Sequence, residues 1–295
     1  PGKGTVFSVT LPTEYAERYY SASHTEAIKQ EMDNETGVET AKSGRPRIYV
    51  VDDDDDIRNY LVSSLSDDYD VEDSSDSVGM LERIRTESPD LVIADVMMPR
   101  LRGDELCRMI KTDIATSHIP VILLSGLTAR EDVVSGLESH ADDYVVKPFD
   151  IVLLKARIRN IIKNRRQLSQ RMLQQDCKPE EVDFSSELDR QFMTSVMDAV
   201  NETISDSEFS VGDLCARLGM SRTSVYNKIR SITGQSVNEY IRIVRLNRAK
   251  ELLGTGQYNV SEVAYMVGFS DPKYFSTCFK KQFGISPSKY YQNPQ

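Results

Sequence analysis

Between Arg47 and Val146, short apolar runs alternate with amphipathic segments. That rhythm constrains the fold more than any other feature of the chain. The runs fall near 47–51, 69–72, 91–95, 120–124 and 143–146. Helical patterns lie between them. A last one, from about 150 to 165, carries Ile151, Leu154, Ile158, Ile161 and Ile162 at helical spacing. Near-continuous apolar strands alternating with helices imply a parallel sheet covered on both faces. In such sheets, sites form where the carboxyl ends of the strands open into loops. Three runs deliver charge to that edge. Ile48-Tyr49-Val50-Val51 ends in Asp52-Asp53, Leu91-Val92-Ile93-Ala94 ends in Asp95, and Tyr144-Val145-Val146 ends in Lys147-Pro148.

Three carboxylates and one ammonium at one edge make a cation site beside an acid that can accept a phosphoryl group. Mg²⁺ takes hard oxygen ligands and keeps several waters. Asp52, Asp53 and Asp95 are predicted to supply carboxylates to it, with a backbone carbonyl just past Asp95 as a further ligand. Strand length favours the first two acids of the run Asp52–Asp56. Asp54, Asp55 and Asp56 are then expected to open a helix, where negative charge is favourable. Lys147 offers a point charge to phosphoryl oxygens. Ser125, after Val121-Ile122-Leu123-Leu124, offers a hydroxyl from the next strand end. Phosphoryl transfer rests mainly on positioning and charge stabilisation, so this small set suffices.

The charge of the chain is divided unevenly. Residues 209–295 hold 12 Lys/Arg and 5 Asp/Glu, a net +7, whereas the remainder holds 24 and 41, a net −17. A basic tail on an acidic front points to a nucleic-acid partner for the tail alone. The tail also repeats itself. Val211-x-x-Leu214-x-x-x-Leu218-Gly219-Met220-Ser221 recurs as Val260-x-x-Val263-x-x-x-Val267-Gly268-Phe269-Ser270, 49 residues later. Each copy reads as a helix, a Gly turn and a second helix. The second helices carry Val225, Ile229 and Ile232 in one copy and Phe275, Phe279 and Phe283 in the other, so two helix-turn-helix units are predicted. A helix over about 236–253 joins them, and another, marked by Leu188, Phe192, Val196, Ala199 and Ile204, precedes them. In 221–232, Arg222, Thr223, Tyr226, Asn227 and Arg230 can face outward. In 270–281, Lys273, Tyr274 and Thr277 can do so. Asn pairs with adenine and Lys with guanine, and both Lys and Arg bind phosphate. Two such helices on one body suit successive major grooves, roughly 34 Å apart.

At 295 residues the chain has room for two ordinary domains. No apolar run approaches a membrane span. The start, Pro1-Gly2-Lys3-Gly4, has neither a secretory pattern nor a Met, so a fragment of a longer chain is expected. Cys107, Cys177, Cys215 and Cys278 lack the close pairs of a zinc site and read as reduced thiols. His24, His118 and His140 have no ligand spacing and read as surface residues.

From about Pro46 to Asn164 the chain resembles the receiver domain of two-component response regulators. The motifs VVDD, VIADVMMPRLRG, VILLSG and DDYVVKPF occur in the family's order. The resemblance implies a flavodoxin-like doubly wound sheet of five parallel strands. It makes Asp95 the phosphoacceptor and gives Mg²⁺ to Asp52, Asp53, Asp95 and the Met97 carbonyl. Ser125 and Tyr144 become a switch pair that turns inward on phosphorylation, and Lys147 a phosphoryl clamp before a cis-proline. Ser in place of the commoner Thr at 125 departs mildly from the family. Residues 187–292 resemble an AraC-type DNA-binding domain, an all-α domain with two helix-turn-helix units. VSEVAYMVGFSDPKYFSTCFKKQFGISPSKYY fits closely, and VGDLCARLGMSRTSVYNKIRSITGQS fits in its apolar and Gly positions. This resemblance turns Thr223, Tyr226 and Asn227 toward bases in one groove and Lys273, Tyr274 and Thr277 in the next. It sets Arg222, Lys228, Arg230, Lys280 and Lys281 on phosphates.

Residues 1–12 resemble the terminal glycine turn and strand of a histidine-kinase ATP-binding domain. Residues 13–45 read as a linker from that strand to the domain 46–164, and residues 165–186 as a second linker to the domain 187–292. Together these features imply the cytoplasmic output half of a hybrid two-component sensor kinase. Its parent would be anchored in the inner membrane and would pass a phosphoryl group from a kinase histidine to Asp95. The fragment itself would be no enzyme, would bind DNA as a dimer when phosphorylated, and would not touch the membrane. Two alternatives are a constitutive DNA-binding regulator with an inactive receiver and a Mg²⁺-dependent aspartyl-phosphate hydrolase.

Overall fold

The structure is a computed structural model that describes residues 44–126, 140–172, 184 and 186–292. The expectations for residues 1–12, for nearly all of 13–45, and for His24 and Cys177 lie outside these residues. The strands are β1 (Arg47–Val51), β2 (Asp70–Ser74), β3 (Leu91–Asp95), β4 (Val121–Ser125) and β5 (Asp143–Val146). They form one parallel sheet in the order β2-β1-β3-β4-β5. Alternate side chains of each strand enter opposite layers. Tyr49, Val51, Val92, Ala94, Val121 and Leu123 pack against α2 (Ser77–Glu87) and α3 (Gly103–Thr112). Ile48, Val50, Leu91, Ile93, Ile122 and Leu124 pack against α1 (Asp55–Leu65) and α4 (Ile151–Met172). The expected doubly wound sheet is therefore present. Its order reverses between β1 and β3, and the crevice at such a reversal is where ligands bind. The acidic run behaves as read. Asp54 caps α1, its carboxylate accepting from the amides of Asp56 and Ile57.

The rest of the chain is helical: α5 (Glu187–Glu202), α6 (Val211–Leu218), α7 (Arg222–Thr233), α8 (Val237–Gly254), α9 (Val260–Met266), α10 (Pro272–Phe283) and α11 (Pro287–Gln292). Two apolar cores divide α8 between them. Val237, Tyr240, Ile241 and Val244 pack with α5, α6 and α7, while Leu246, Ala249 and Leu253 pack with α9, α10 and α11. The repeat reaches the helix caps. Ser210 with Asp213, and Asn259 with Glu262, form capping boxes 49 positions apart. The turn glycines Gly219 (φ 63°) and Gly268 (φ 79°) are both left-handed, a conformation that side chains other than glycine rarely adopt.

Two expectations need correction. The helix predicted to end near 165 runs to Met172, so the segment 165–186 is not wholly a linker. Its second half has a neighbour of its own. Leu168 packs on the core of the first helix-turn-helix unit, and Ser169 Oγ donates to the Ile232 carbonyl at 2.6 Å. His118 is buried rather than on the surface, with Nε2 3.0 Å from Ser88 Oγ. Cys107, Cys215 and Cys278 are free thiols, as expected. Among the described residues no helix is long and apolar enough to cross a membrane.

Burial, together with the cations Arg165, Lys228 and Lys111, pushes the His118 imidazole well below its usual value of 6.5. In the folded chain it stays neutral where an unfolded chain would take up a proton, so stability is lost as pH falls below about 6.5. In urea melts the wild type should lose up to about 1.4 kcal/mol per pH unit below that point relative to His118→Gln. Parallel curves for the two proteins from pH 7 to pH 5 would exclude a neutral buried imidazole.

Candidate functional site: an acidic strand edge and two reading helices

Asp52, Asp95 and Lys147 meet at the crevice between β1 and β3. Lys147 Nζ lies 2.8 Å from Asp52 Oδ2 and 2.5 Å from Asp95 Oδ1. The free end of each acid is held by backbone. Asp52 Oδ1 accepts from the Asp54 amide and Asp95 Oδ2 from the Met97 amide, both at 2.9 Å. Asp52 and Asp95 are buried and Asp53 is exposed, yet a carboxylate oxygen of each lies within 4.8 Å of the others. Burial pushes the Asp52 carboxyl above its ordinary value against the pull of Lys147. Burial alone would lower the Lys147 ammonium, but its hydrogen bonds to Asp52 and Asp95 prevail and raise it. One cation thus balances two interior anions, leaving net negative charge at a mouth that Asp53 keeps open to solvent. Three carboxylates in reach of one another are the hard donor set that a small divalent cation takes, so these residues fit Mg²⁺.

The other members of the predicted set are placed as follows. Ser125 is buried at the end of β4, and its carbonyl accepts from the Lys147 amide at 2.7 Å. Tyr144 lies on β5 opposite Leu123 and is half-buried against the core layer that β4 also lines. The Lys147–Pro148 bond is cis, as the resemblance implied. Gly103 was not singled out from the sequence, although it closes the quoted motif around Asp95. A Cβ there would stand 2.0 Å from the Asp95 carbonyl oxygen, and the Gly103 amide donates to Val96 O at 3.1 Å. The turn after the phosphoacceptor candidate closes only over a bare backbone.

In the helical domain Arg222, Thr223, Lys273, Tyr274, Thr277, Lys280 and Lys281 are exposed, as reading helices require. Arg222 lies over the Tyr226 ring at 5.5 Å, and Arg242 Nη1 donates to Tyr274 Oη at 3.2 Å. Arg245 on α8 donates to Asp206 O (2.6 Å) and Gly268 O (3.3 Å), tying the first unit to the turn of the second. One predicted residue is displaced from its role. Lys228 is wholly buried and contacts no solvent, so it is not a surface phosphate contact. Its ammonium pairs with Asp189 Oδ1 at 2.6 Å, donates to Ser117 Oγ at 2.8 Å, and lies 5.1 Å from the Phe192 ring. Burial lowers its affinity for the proton, partly offset by Asp189. Asp189 went unnoticed in the sequence, yet a signal existed. It shares the helical stripe of Phe192, Met193 and Val196, and a lone acid on an apolar stripe calls for a buried partner.

A parallel sheet with an acidic cluster at its switch point is thus followed by an all-helical domain with two helix-turn-helix units. Comparison with known proteins agrees. Residues 48–159 match the response regulator receiver domain and residues 214–293 a helix-turn-helix domain of the AraC type. The chain thus carries a receiver domain of the two-component response-regulator kind, followed by a helix-turn-helix domain. It is 38% identical over 244 residues to "Histidine kinase P4" of Formosa agariphila, covering 82% of this chain and 18% of that protein. It is 32% identical over 179 residues to "Sensor histidine kinase TmoS" of Ectopseudomonas mendocina, covering 55% of this chain and 18% of that one. With "Transcriptional regulatory protein CseB" of Streptomyces coelicolor it shares 44% identity over 117 residues, 39% of this chain and 49% of that protein. The chain thus spans less than a fifth of the length of the two kinases.

Gly103→Ala should destabilise the receiver by about 2 kcal/mol or more, since the new Cβ must displace backbone rather than a flexible side chain. Thermal unfolding monitored by circular dichroism checks this; an unchanged midpoint would contradict the close turn. Lys228→Ala should cost about 3–5 kcal/mol by stranding Asp189, whereas Lys228→Met with Asp189→Leu should recover most of the loss. Urea titration of the three proteins decides, and equal stability of both variants would rule out a stranded charge.

Proposed function

We propose that this chain is the output half of a hybrid two-component kinase, in which a phosphoryl group passed from a kinase histidine to Asp95 controls sequence-specific DNA binding. The observation that carries the reading is the placement of Lys147 on both Asp52 and Asp95 at the sheet's switch point. Such a carboxylate is held by a cation that can follow it onto a phosphoryl oxygen. In the transfer, an Asp95 carboxylate oxygen forms a bond to phosphorus as the phosphorus–nitrogen bond to the histidine breaks. The nitrogen keeps the electron pair, and the product is an acyl phosphate. Lys147 then bonds the new phosphoryl oxygens, and Asp52 loses part of its share of that ammonium. Asp52, Asp53, Asp95 and the Met97 carbonyl would hold Mg²⁺, which when bound supplies charge neutralisation for the incoming group.

Ser125 and Tyr144 would turn inward after transfer, the first toward the phosphoryl group and the second into the space this opens. Such a shift biases a population rather than building a new fold. Arg222, Thr223, Tyr226 and Asn227 would read or hold one groove, and Lys273, Tyr274, Thr277, Lys280 and Lys281 the next. The working form would be a dimer on DNA. The parent would be anchored in the inner membrane, with this part on the cytoplasmic side.

Incubation with Mg²⁺ and acetyl phosphate, followed by phosphate-affinity electrophoresis, tests the acceptor. The wild type should shift, Asp95→Asn should not, and Lys147→Ala should hold its phosphoryl group more than tenfold less, about the loss expected for one misplaced stabilising charge. Label retained on Asp95→Asn would remove the assignment.

A further inference from the structure

Helix α4 carries seven Lys or Arg and no Asp or Glu in its 22 residues, in a part of the chain that is otherwise strongly acidic. Three of the seven have acids beside them. Lys155 pairs with Asp68 at 3.2 Å and Arg157 with Asp143 at 2.6 Å. Arg165 is half-buried, with Asp142, Asp189 and Asp90 as its charged neighbours. The other four, Arg159, Lys163, Arg166 and Arg171, are exposed and make no ion pair among the described residues. Arg159, Lys163 and Arg166 follow at i, i+4 and i+7, so they share one face, and Arg171 extends it by a further turn. Every other exposed residue from 160 to 170 is Asn or Gln. Like charges at i and i+4 cost a helix stability. Nothing inside the fold therefore calls for this pattern, and it suits an anion from outside.

The shape of the face narrows the choice of anion. A helix that lies on a membrane needs an exposed apolar face, and a coiled coil needs an apolar seam. Beyond residue 159, α4 presents neither. Ile161 and Ile162 pack on the receiver core, and Leu168 packs on the core of the first helix-turn-helix unit. The bond from Ser169 to Ile232 sets the end of the basic face beside the last turn of α7, where Arg230 is exposed. Twelve residues of helix span about 18 Å, and one DNA strand rises about 3.4 Å per phosphate. The face thus matches the length of roughly five phosphates. We propose that this face of α4 is a DNA-backbone contact, lying along the phosphates of one strand beside the first unit and holding the duplex without reading its sequence. The proposal rests on the DNA-reading function above and adds to it a third contact, made by the helix that begins next to the acidic cluster. Arg and Lys neutralise phosphates there, and the Asn and Gln amides donate to phosphate oxygens.

The test uses the full chain and two pairs of substitutions that remove equal charge. One pair is Arg159→Gln with Arg166→Gln. The control pair is Arg100→Gln with Arg108→Gln, which removes exposed cations from the loop after β3 and from α3, on the other layer of the sheet. Affinity for a labelled random-sequence duplex pool of about 40 bp is read by anisotropy across a salt series. The α4 pair should bind roughly tenfold more weakly at about 100 mM salt, with a logarithmic salt slope shallower by about 2. Arg159→Lys with Arg166→Lys should restore the wild-type slope, and the control pair should keep it. An α4 pair that matches the control pair in affinity and slope overturns the backbone contact while DNA reading stands. That result together with wild-type binding to phosphatidylserine vesicles, lost in the α4 pair, would assign the face to a lipid surface instead. A wild type that binds no duplex at any salt overturns the reading function and this contact with it.

Discussion

Both faces of the three central strands β1, β3 and β4 are buried, so charge on them is confined to their ends. Everything else about the molecule follows from what sits at those two ends. At the carboxyl end, Asp52, Asp95 and Lys147 share one cluster. At the amino end, Asp90 accepts from the Arg47 amide, and Lys111 pairs with Asp142 beside Val121. There too lies the loop that carries Ile114, Ser117 and His118. The two ends are separated by the length of a five-residue strand, about 16 Å. One end carries the acidic cluster and the other meets the helical domain.

Two ammonium groups, one half-buried and one wholly buried, show how differently the same side chain is used. Lys147 faces two acids at a mouth, and its surplus of negative neighbours raises its hold on the proton. Such a site, with more acids than cations at its mouth, attracts further cations. Lys228 faces one acid in the interior, and burial lowers its hold on the proton. That arrangement ties three elements together: α5 through Asp189, α7 through Lys228 itself, and the receiver loop through Ser117. A lysine held this way organises an interface and contributes nothing to a DNA surface.

Two elements touch both ends. Strand β4 begins just after the Ser117 loop and finishes at Ser125, beside Lys147. Helix α4 starts three residues after the cis Lys147–Pro148 bond and runs 22 residues to reach Ile232 of the reading helix. A rigid helix of that length turns a small rotation at its origin into a larger displacement at its far end. It spans from the loop after Lys147 to the last turn of α7.

The strands, the carboxylates and ammonium at their ends, and the repeated helix-turn-helix were all legible in the sequence. Burial on both faces writes itself as continuous apolar runs, and Asp95 or Lys147 stands out wherever such a run stops. The capping boxes and left-handed glycines were equally local, each needing only neighbours within a few positions. What could not be read depends on partners far apart in the chain. Lys228 looked like a surface cation because its acid lies 39 positions away and its hydroxyl partner 111 away. The extra turns of α4 looked like linker because polar residues fill them and their apolar contacts belong to another domain. The amino-acid sequence by itself determined the two folds and the groups that define the acidic edge, since those follow from periodicity and strand ends. Only the tertiary structure decided which face of α7 is covered, because that depends on how two independently folding surfaces meet.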